Sequence, residues 1–168
     1  MELYFLRHAI AADPQTAGFS EDSERPLVAE GVKKMKKAAK GMKSAVSMFD
    51  RVISSPYVRA RETAEIVVNA LAFPGTVEFS ESLIPGADFR EFAKLLKQFS
   101  GEDRVLFVSH EPTISHFVSR LVSSGQDVSI DIKKSSLCRV DLADGVAGHG
   151  QLKWLLSPKL LQSMAYDK

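Results

Sequence analysis

The chain has 168 residues, 45% of them hydrophobic, and a formal net charge of +1. This balance suits one cytoplasmic domain over residues 1–168 and gives no overall field that would attract nucleic acid or an anionic membrane. A single cysteine, Cys138, excludes an internal disulfide or a zinc finger, and the apolar runs are too short for a membrane span or a secretory signal.

Short apolar runs alternate with helical patterns along the chain. In chain order we predict a strand at 2–6, a helix at 28–46, a strand at 51–54, a helix from 55 to about 71, a weaker strand at 76–79, a helix after 88, a strand at 104–108, a helix from 112 to about 122, and a hairpin of 137–142 with 151–156. Near-continuous apolar runs are typical of parallel strands that are covered on both faces. The pattern therefore predicts an α/β fold, a three-layer α/β/α sandwich whose mostly parallel central sheet has an antiparallel edge.

Two helix starts carry capping signals. Ser55 and Pro56 suit the N-cap and the first position of the second helix, and Asp88 followed by Glu91 resembles a capping box for the third. The first helix carries lysines at intervals between positions 33 and 43. We interpret these lysines as a solvated face, with a docking surface for an acidic partner domain as the alternative.

Polar side chains follow three of the predicted strands. Arg7 and His8 come after the first, Ser55 after the second, and His110 after the strand at 104–108. In open α/β sheets, ligands bind beyond the carboxyl ends of the strands, so we expect these side chains to meet there. Arg59 is expected in the first turn of the following helix, on the same side.

Two arginines, two histidines and a helix N-terminus favour a dianion such as phosphate. Guanidinium groups grip phosphate oxygens in bidentate fashion, and the helix that begins after His110 offers free N–H groups. A lone histidine at a strand end is usually structural, and a lone arginine on a helix is usually a surface residue. Their joint placement makes a phosphate site the favoured interpretation.

The same positions carry motifs that resemble the histidine phosphatase superfamily, the phosphoglycerate mutase-like group. Residues 6–9 (Leu-Arg-His-Ala) match its Arg-His-Gly signature with alanine in place of glycine. Residues 55–63 match its Ser-Pro-x-x-Arg-Ala-x-x-Thr segment, and residues 108–112 match its late Val-Ser-His segment. Residues 25–27 (Arg-Pro-Leu) and 81–85 look more narrowly like the SixA group of protein phosphohistidine phosphatases.

This resemblance implies roles for the site residues. His8 would be the catalytic nucleophile that becomes phosphorylated, and Arg7, Arg59 and His110 would bind the phosphoryl oxygens. Arg25 maps onto a second arginine that contacts the substrate in the SixA group. Since guanidinium groups supply the positive charge, the resemblance implies no metal and no other cofactor.

Ser109 and Glu81 are the remaining candidates. Ser109 is assigned to substrate binding through the Val-Ser-His match. Glu81 is the nearest match to the general acid of relatives that act on alkyl phosphates, although a surface carboxylate is the plainer interpretation. A phosphohistidine substrate needs such an acid less, because its leaving group is an imidazole with a pKa of about 6.5.

Three functions are therefore considered. The leading hypothesis is a phosphohistidine phosphatase whose partner is a histidine-phosphorylated carrier domain, with a role in signal transduction that the resemblance alone implies. The alternative is a broad phosphatase for small phosphate esters. A catalytically silent phosphate-binding module is the third, and the intact set of Arg7, His8, Arg59 and His110 argues against it.

Overall fold

The central sheet of the computed structural model has six strands in the order β3-β2-β4-β1-β5-β6. The structure describes residues 1–15, 18–99, 104–123, 128–143 and 149–166. The strands are β1 (Glu2–Arg7), β2 (Arg51–Ser54), β3 (Val77–Phe79), β4 (Arg104–Ser109), β5 (Leu137–Asp141) and β6 (Gln151–Leu156). Strands β3, β2, β4 and β1 are parallel, whereas β5 is antiparallel to both β1 and β6. The predicted turn between β5 and β6 lies largely at 144–148, outside the described residues.

Five helices in the described ranges cover the two faces of this sheet. They are α1 (Ala29–Ala45), α2 (Val58–Leu71), α3 (Phe89–Leu96), α4 (Thr113–Val122) and α5 (Pro158–Met164). Helices α1, α2 and α5 pack on one face, and α3 and α4 pack on the other. The predicted three-layer sandwich is confirmed. None of these helices combines the length and the apolar character needed to cross a membrane.

The alternation of side chains along β1 explains why both faces need a helical layer. Tyr4 and Leu6 belong to the apolar cluster under α1 and α2, whereas Leu3 and Phe5 belong to the cluster under α3 and α4. All four are almost completely buried. Burying apolar side chains on both faces is what makes the strand read as a continuous apolar run.

The second helix begins later than its capping signal predicts. Tyr57 is extended and α2 starts at Val58. Ser55 does not cap the helix, because its Oγ instead accepts a hydrogen bond from the Tyr57 N–H at 3.3 Å and lies 2.8 Å from His110 Nε2. Arg59 still falls in the first turn, as predicted.

The third helix has half of its predicted capping box. Asp88 is the N-cap, and its Oδ1 accepts from the Arg90 N–H at 2.8 Å. Glu91 does not return to the backbone of Asp88, since its Oε1 pairs with Lys94 Nζ at 2.7 Å. The ion pair with Lys94, one turn further along the helix, thus takes the place of a hydrogen bond from the Asp88 N–H to Glu91.

Helix α5 is missing from the predicted elements. Its start has a Ser-Pro pair that does cap the helix. Ser157 Oγ accepts from the Leu160 N–H at 3.3 Å, and Pro158 occupies the first turn. The helix packs closely on α1, where a Cβ atom at Gly41 would collide with the Leu161 carbonyl oxygen. Gly41 therefore permits the approach of the two helices, and α5 forms one wall beside the candidate site.

Candidate active site

Three neighbouring strands end side by side and bring the predicted site residues to one edge of the sheet. Arg7 at the end of β1 pairs in register with Ser109 of β4, and β2 lies on the other side of β4. The register continues past the strands, because the His8 N–H donates to the Ser109 carbonyl at 3.0 Å. The rings of His8 and His110 consequently lie 5.0 Å apart between their centroids.

His8 is held as a neutral imidazole with one free nitrogen. The residue is 7% exposed, and its Nδ1 lies 2.7 Å from the Ala9 carbonyl oxygen. Because a carbonyl oxygen only accepts, Nδ1 carries the proton and Nε2 keeps the lone pair. Burial, and then the positive charges of Arg59, Arg7 and Lys134, lower the pKa of His8 to about 3. An uncharged Nε2 is therefore available as a nucleophile at neutral pH.

A buried threonine connects the turn after His8 to helix α2. Thr63 Oγ1 donates to the Arg59 carbonyl at 2.6 Å and accepts from the Ala9 N–H at 3.0 Å. Ala9 is fully buried and is not among the residues with positive φ, so alanine fits where the superfamily signature has glycine. The Arg-Ala-x-x-Thr spacing thus places one hydroxyl between the histidine turn and the helix that carries Arg59.

Arg59 is buried, and an aspartate that the motifs do not single out holds it. Only 3% of its side chain is exposed. One terminal nitrogen donates to the Asp22 carbonyl at 2.6 Å and the other donates to Asp22 Oδ2 at 2.8 Å. Arg25 donates to Oδ1 of the same carboxylate at 2.8 Å and to the Ala12 carbonyl at 2.7 Å. The predicted site arginines Arg59 and Arg25 are therefore brought together through Asp22.

Asp22 lies in a short 3-10 turn, Asp22–Glu24, between β1 and α1. Partial burial alone would raise the pKa of its carboxyl group, but the hydrogen bonds from Arg59 and Arg25 hold that pKa below its usual value. A charged carboxylate between two guanidinium groups orients both of them. The sequence offers no signal for this residue, since Glu21 and Glu24 flank it with similar side chains.

Lys134, a cation that the motif-based prediction does not include, lies beside Arg7. The Arg7 guanidinium donates to the Ile132 carbonyl at 2.9 Å, which ties it to the segment before β5. Lys134 comes from the same segment, and burial, followed by the positive charges of Arg7, Arg25 and Arg59, lowers its pKa. Lys134 is thus close enough to the three arginines to belong to the same cationic cluster.

His110 is buried against Ser55 and Tyr57. Its Nε2 lies 2.8 Å from Ser55 Oγ, and its ring meets the Tyr57 ring edge-on at 5.2 Å between centroids. Burial, and then the proximity of the His8 ring and the positive charges of the nearby arginines, lower the pKa of His110 to about 2. The serine of the Ser-Pro motif therefore orients this histidine rather than capping α2.

Several polar atoms of this cluster are buried without a partner. In the described part of the chain, four buried side-chain polar atoms have no hydrogen-bond partner, and three of them are Arg7 Nε, Arg59 Nε and His110 Nδ1. Buried polar atoms without partners are uncommon in folded proteins because each costs free energy. Arg7 Nε and Arg59 Nε are donors and favour a ligand that supplies acceptor oxygens, whereas the fourth atom, Glu111 Oε1, is an acceptor beside His110.

The structure brings the Ser109 backbone to the site but turns its hydroxyl away, and it places Glu81 apart from the other candidates. Ser109 Oγ donates to the Leu83 carbonyl at 2.7 Å, so this hydroxyl anchors the segment after β3. Glu81 is exposed at the start of the 3-10 turn Glu81–Leu83, and it lines a pocket with Ser80 and Asp88 that includes none of the cationic site residues. Their roles in substrate binding and acid catalysis remain predictions.

The cluster has the composition needed for phosphoryl transfer. It combines a neutral imidazole nitrogen with fixed positive charges, and such preorganised charge stabilises the oxygens of a transferring phosphoryl group. Among the described residues, no group of three or more His, Cys, Asp or Glu side chains is placed to hold a metal ion.

Comparisons with known proteins identify relatives along the chain. Residues 3–84 match the family model for the histidine phosphatase superfamily (branch 1). An uncharacterized protein of Picosynechococcus sp. is 31% identical over 96% of this chain and 99% of its own length. The phosphohistidine phosphatase SixA of Escherichia coli is 28% identical over 94% of each chain. The solved structure of the protein histidine phosphatase SixA complexed with tungstate has a TM-score of 0.82 and 28% identity, covering 95% of this chain and 98% of that one.

Proposed function

The chain belongs to the histidine phosphatase superfamily, and on that premise we propose that it removes phosphate from a histidine-phosphorylated protein through a covalent intermediate on His8. The state of His8 is the observation that carries this proposal. Its buried ring is neutral, Nδ1 is bonded to the Ala9 carbonyl, and Nε2 is free beside the charges of Arg7 and Arg59. A carrier domain of a phosphorelay is the substrate class that we favour.

The proposed reaction has two displacements at phosphorus. In the first, the lone pair of His8 Nε2 forms a bond to phosphorus while the bond to the substrate ring breaks. That ring carries a proton on its other nitrogen and leaves with the electron pair as neutral imidazole. The phosphorylated ring is then positively charged, and the Ala9 carbonyl stabilises its Nδ1–H. In the second, water attacks phosphorus, inorganic phosphate leaves, and His8 returns to its neutral form. Arg7 and Arg59 bind the phosphoryl oxygens throughout.

The substrate class follows from the leaving group. A phosphohistidine ring that is protonated on its other nitrogen leaves as neutral imidazole, whose conjugate acid has a pKa of about 6.5, so it needs no strong enzymic acid. A serine alkoxide needs one. Glu81, the acid candidate that the family motif points to, is exposed and lines a pocket apart from the cationic residues. The similarity to SixA, a phosphohistidine phosphatase by name, supports the same choice.

A substrate panel tests the proposal. Wild-type protein is offered a phosphohistidine carrier protein, a phosphoserine peptide and the alkyl ester glycerol 3-phosphate, and released phosphate is measured. We expect kcat/KM for the carrier to exceed the other two values by at least about tenfold, because only this substrate has a good leaving group. Equal turnover of the small ester would favour a broad phosphatase, and phosphate binding without any turnover would favour a silent module.

Exchange of Glu81 for glutamine should leave turnover of phosphohistidine within about twofold of wild type, since this reaction does not need its proton. The measurement is kcat/KM for the carrier protein, with Glu91→Gln as the matched control because Glu91 lines the same pocket. A loss as deep as that of a nucleophile variant would show that Glu81 is an essential acid.

A further inference from the structure

A basic groove adjoins the candidate active site on the side of Arg7. It has a volume of about 580 Å³. Five cations line it, and no acidic residue is among the described residues that do so: Arg7, Lys34, Lys133, Lys134 and Lys159. We call this surface the lysine groove. The chain has 22 basic and 21 acidic residues, so this is a local concentration of charge and not a property of the whole surface.

The four lysines of the lysine groove come from three separate parts of the chain. Lys34 comes from α1, Lys133 and Lys134 come from the segment before β5, and Lys159 comes from the first turn of α5. All four lysines are exposed. Convergence of elements that are far apart in the chain distinguishes this groove from the regular solvated stripe of a single helix.

Much of this charge is not neutralised by the protein itself. Lys34 pairs with Glu30 at 2.5 Å, and Lys133 lies 3.8 Å from Asp131. Within the described ranges, no ion pair is formed by the two remaining lysines, Lys134 and Lys159. The groove therefore presents uncompensated positive charge next to the phosphate-binding arginines.

We propose that the lysine groove binds a carboxylate-rich segment of the protein that carries the phosphohistidine. This inference rests on the proposed function and names the surface that recognises its substrate. Arg7 belongs both to the groove and to the candidate active site, so a segment bound in the groove lies beside an arginine that we assign to the phosphoryl oxygens. Exposed lysines act as mobile point charges that attract carboxylates and speed up association.

The lining favours a protein segment over other polyanions. No aromatic residue is among the described lining residues, so the groove offers no platform on which bases could stack. Four of its five cations are lysines, whereas arginine forks suit the bidentate binding of phosphate groups. Its concave shape, with Ile10 and Pro158 as small apolar contacts, suits a chain segment better than a flat membrane surface.

Charge reversal at Lys133 and Lys159, two of the three groove lysines that lie outside the catalytic cluster, tests the proposal. The groove variant is Lys133→Glu with Lys159→Glu, and the control is Lys36→Glu with Lys153→Glu. All four positions are exposed, and the two control positions do not line the groove. Both variants change the net charge equally. Glutamate at position 159 falls in the first turn of α5, where the helix dipole tolerates negative charge.

The first readout separates binding from chemistry. For an acidic phosphohistidine carrier protein, we expect KM to rise by about tenfold in the groove variant, while kcat stays near wild type. For free phosphohistidine, which has no flanking segment, both constants should be unchanged. Added salt should raise the KM of wild type more than that of the groove variant. Equal KM values for the groove and control variants would overturn the proposal even when the phosphatase activity is present.

The second readout does not depend on turnover. Binding of a fluorescent glutamate-rich peptide is measured by anisotropy for wild type, groove variant and control variant, with inorganic tripolyphosphate and a short RNA as competing probes. We expect wild type and control to bind the peptide and the groove variant to lose it. Failure of wild type to bind the peptide would refute the groove proposal, as would binding of tripolyphosphate or RNA alone. Peptide binding without phosphatase activity would refute only the proposed function.

Discussion

Replacement of His8 by alanine should abolish phosphate release from the phosphohistidine carrier, with kcat lower by roughly 10⁴-fold or more, the scale of a lost nucleophile. The His8 ring is neutral and its Nδ1 is bonded to the Ala9 carbonyl, so the lone pair on Nε2 is the one that we propose attacks phosphorus. The arginines would still bind the phosphoryl group, so binding of inorganic phosphate should persist. The measurement is single-turnover phosphate release from the carrier protein.

A covalent intermediate gives this prediction a second readout. Brief incubation of wild type with a radiolabelled carrier should transfer label to the enzyme in an acid-labile linkage, and the His8→Ala variant should acquire none. His116→Ala is the matched control, since His116 lies on α4 and is exposed. Circular dichroism and urea unfolding establish that both variants fold. Normal turnover by a folded His8→Ala variant would contradict the proposed mechanism.

The parallel centre of the sheet is predictable from sequence because its strands are buried on both faces. Strands β1, β2 and β4 lie inside the sheet and are covered on both faces, so each appears as an uninterrupted apolar run. The parallel pairing then places the residues that follow these strands on one edge. Arg7, His8 and His110 could be assigned to a common site for this reason, before any contact was known.

The Ser-Pro pairs show where local signals fail. Ser55-Pro56 has the features of a helix start, yet α2 begins at Val58, and the Ser55 hydroxyl contacts His110 Nε2. Ser157-Pro158 carries the same features and does begin a helix. Whether a Ser-Pro pair begins a helix therefore depends partly on the distant groups that contact the hydroxyl, and the neighbouring sequence does not show which groups these are.

Asp22 and Lys134 could not be assigned from sequence for a related reason. The contact between Arg59 and Asp22 joins residues that are 37 positions apart, in a stretch that contains other acidic residues. Lys134 reaches the cluster only because the segment before β5 folds back against Arg7. The sequence motifs contain the candidate reacting residues. Asp22 and Lys134 lie in loops, and they reach these residues only when the whole chain has folded.

Exchange of Arg59 for alanine should lower kcat/KM for the phosphohistidine carrier by about 10²–10³-fold, or roughly 3–4 kcal/mol of transition-state stabilisation. The guanidinium is buried, and Asp22 holds two of its nitrogens, so its charge is fixed before substrate arrives. Arg59→Lys keeps the charge but loses the planar fork, and we expect an intermediate loss. The measurement is steady-state turnover of the carrier together with binding of inorganic phosphate, and both should weaken.

A matched control separates this role from a general effect of charge. Arg61 is two residues further along α2, is exposed, and lies over the Phe79 ring at 5.7 Å from its centroid. Arg61→Ala removes the same charge from the same helix and should leave kcat/KM within about twofold. In Arg59→Ala the exposed Asp22 carboxylate can return to water, so urea unfolding should show a folded protein. Near-normal kcat/KM in this folded variant would mean that the guanidinium does not act on the transferring phosphoryl group.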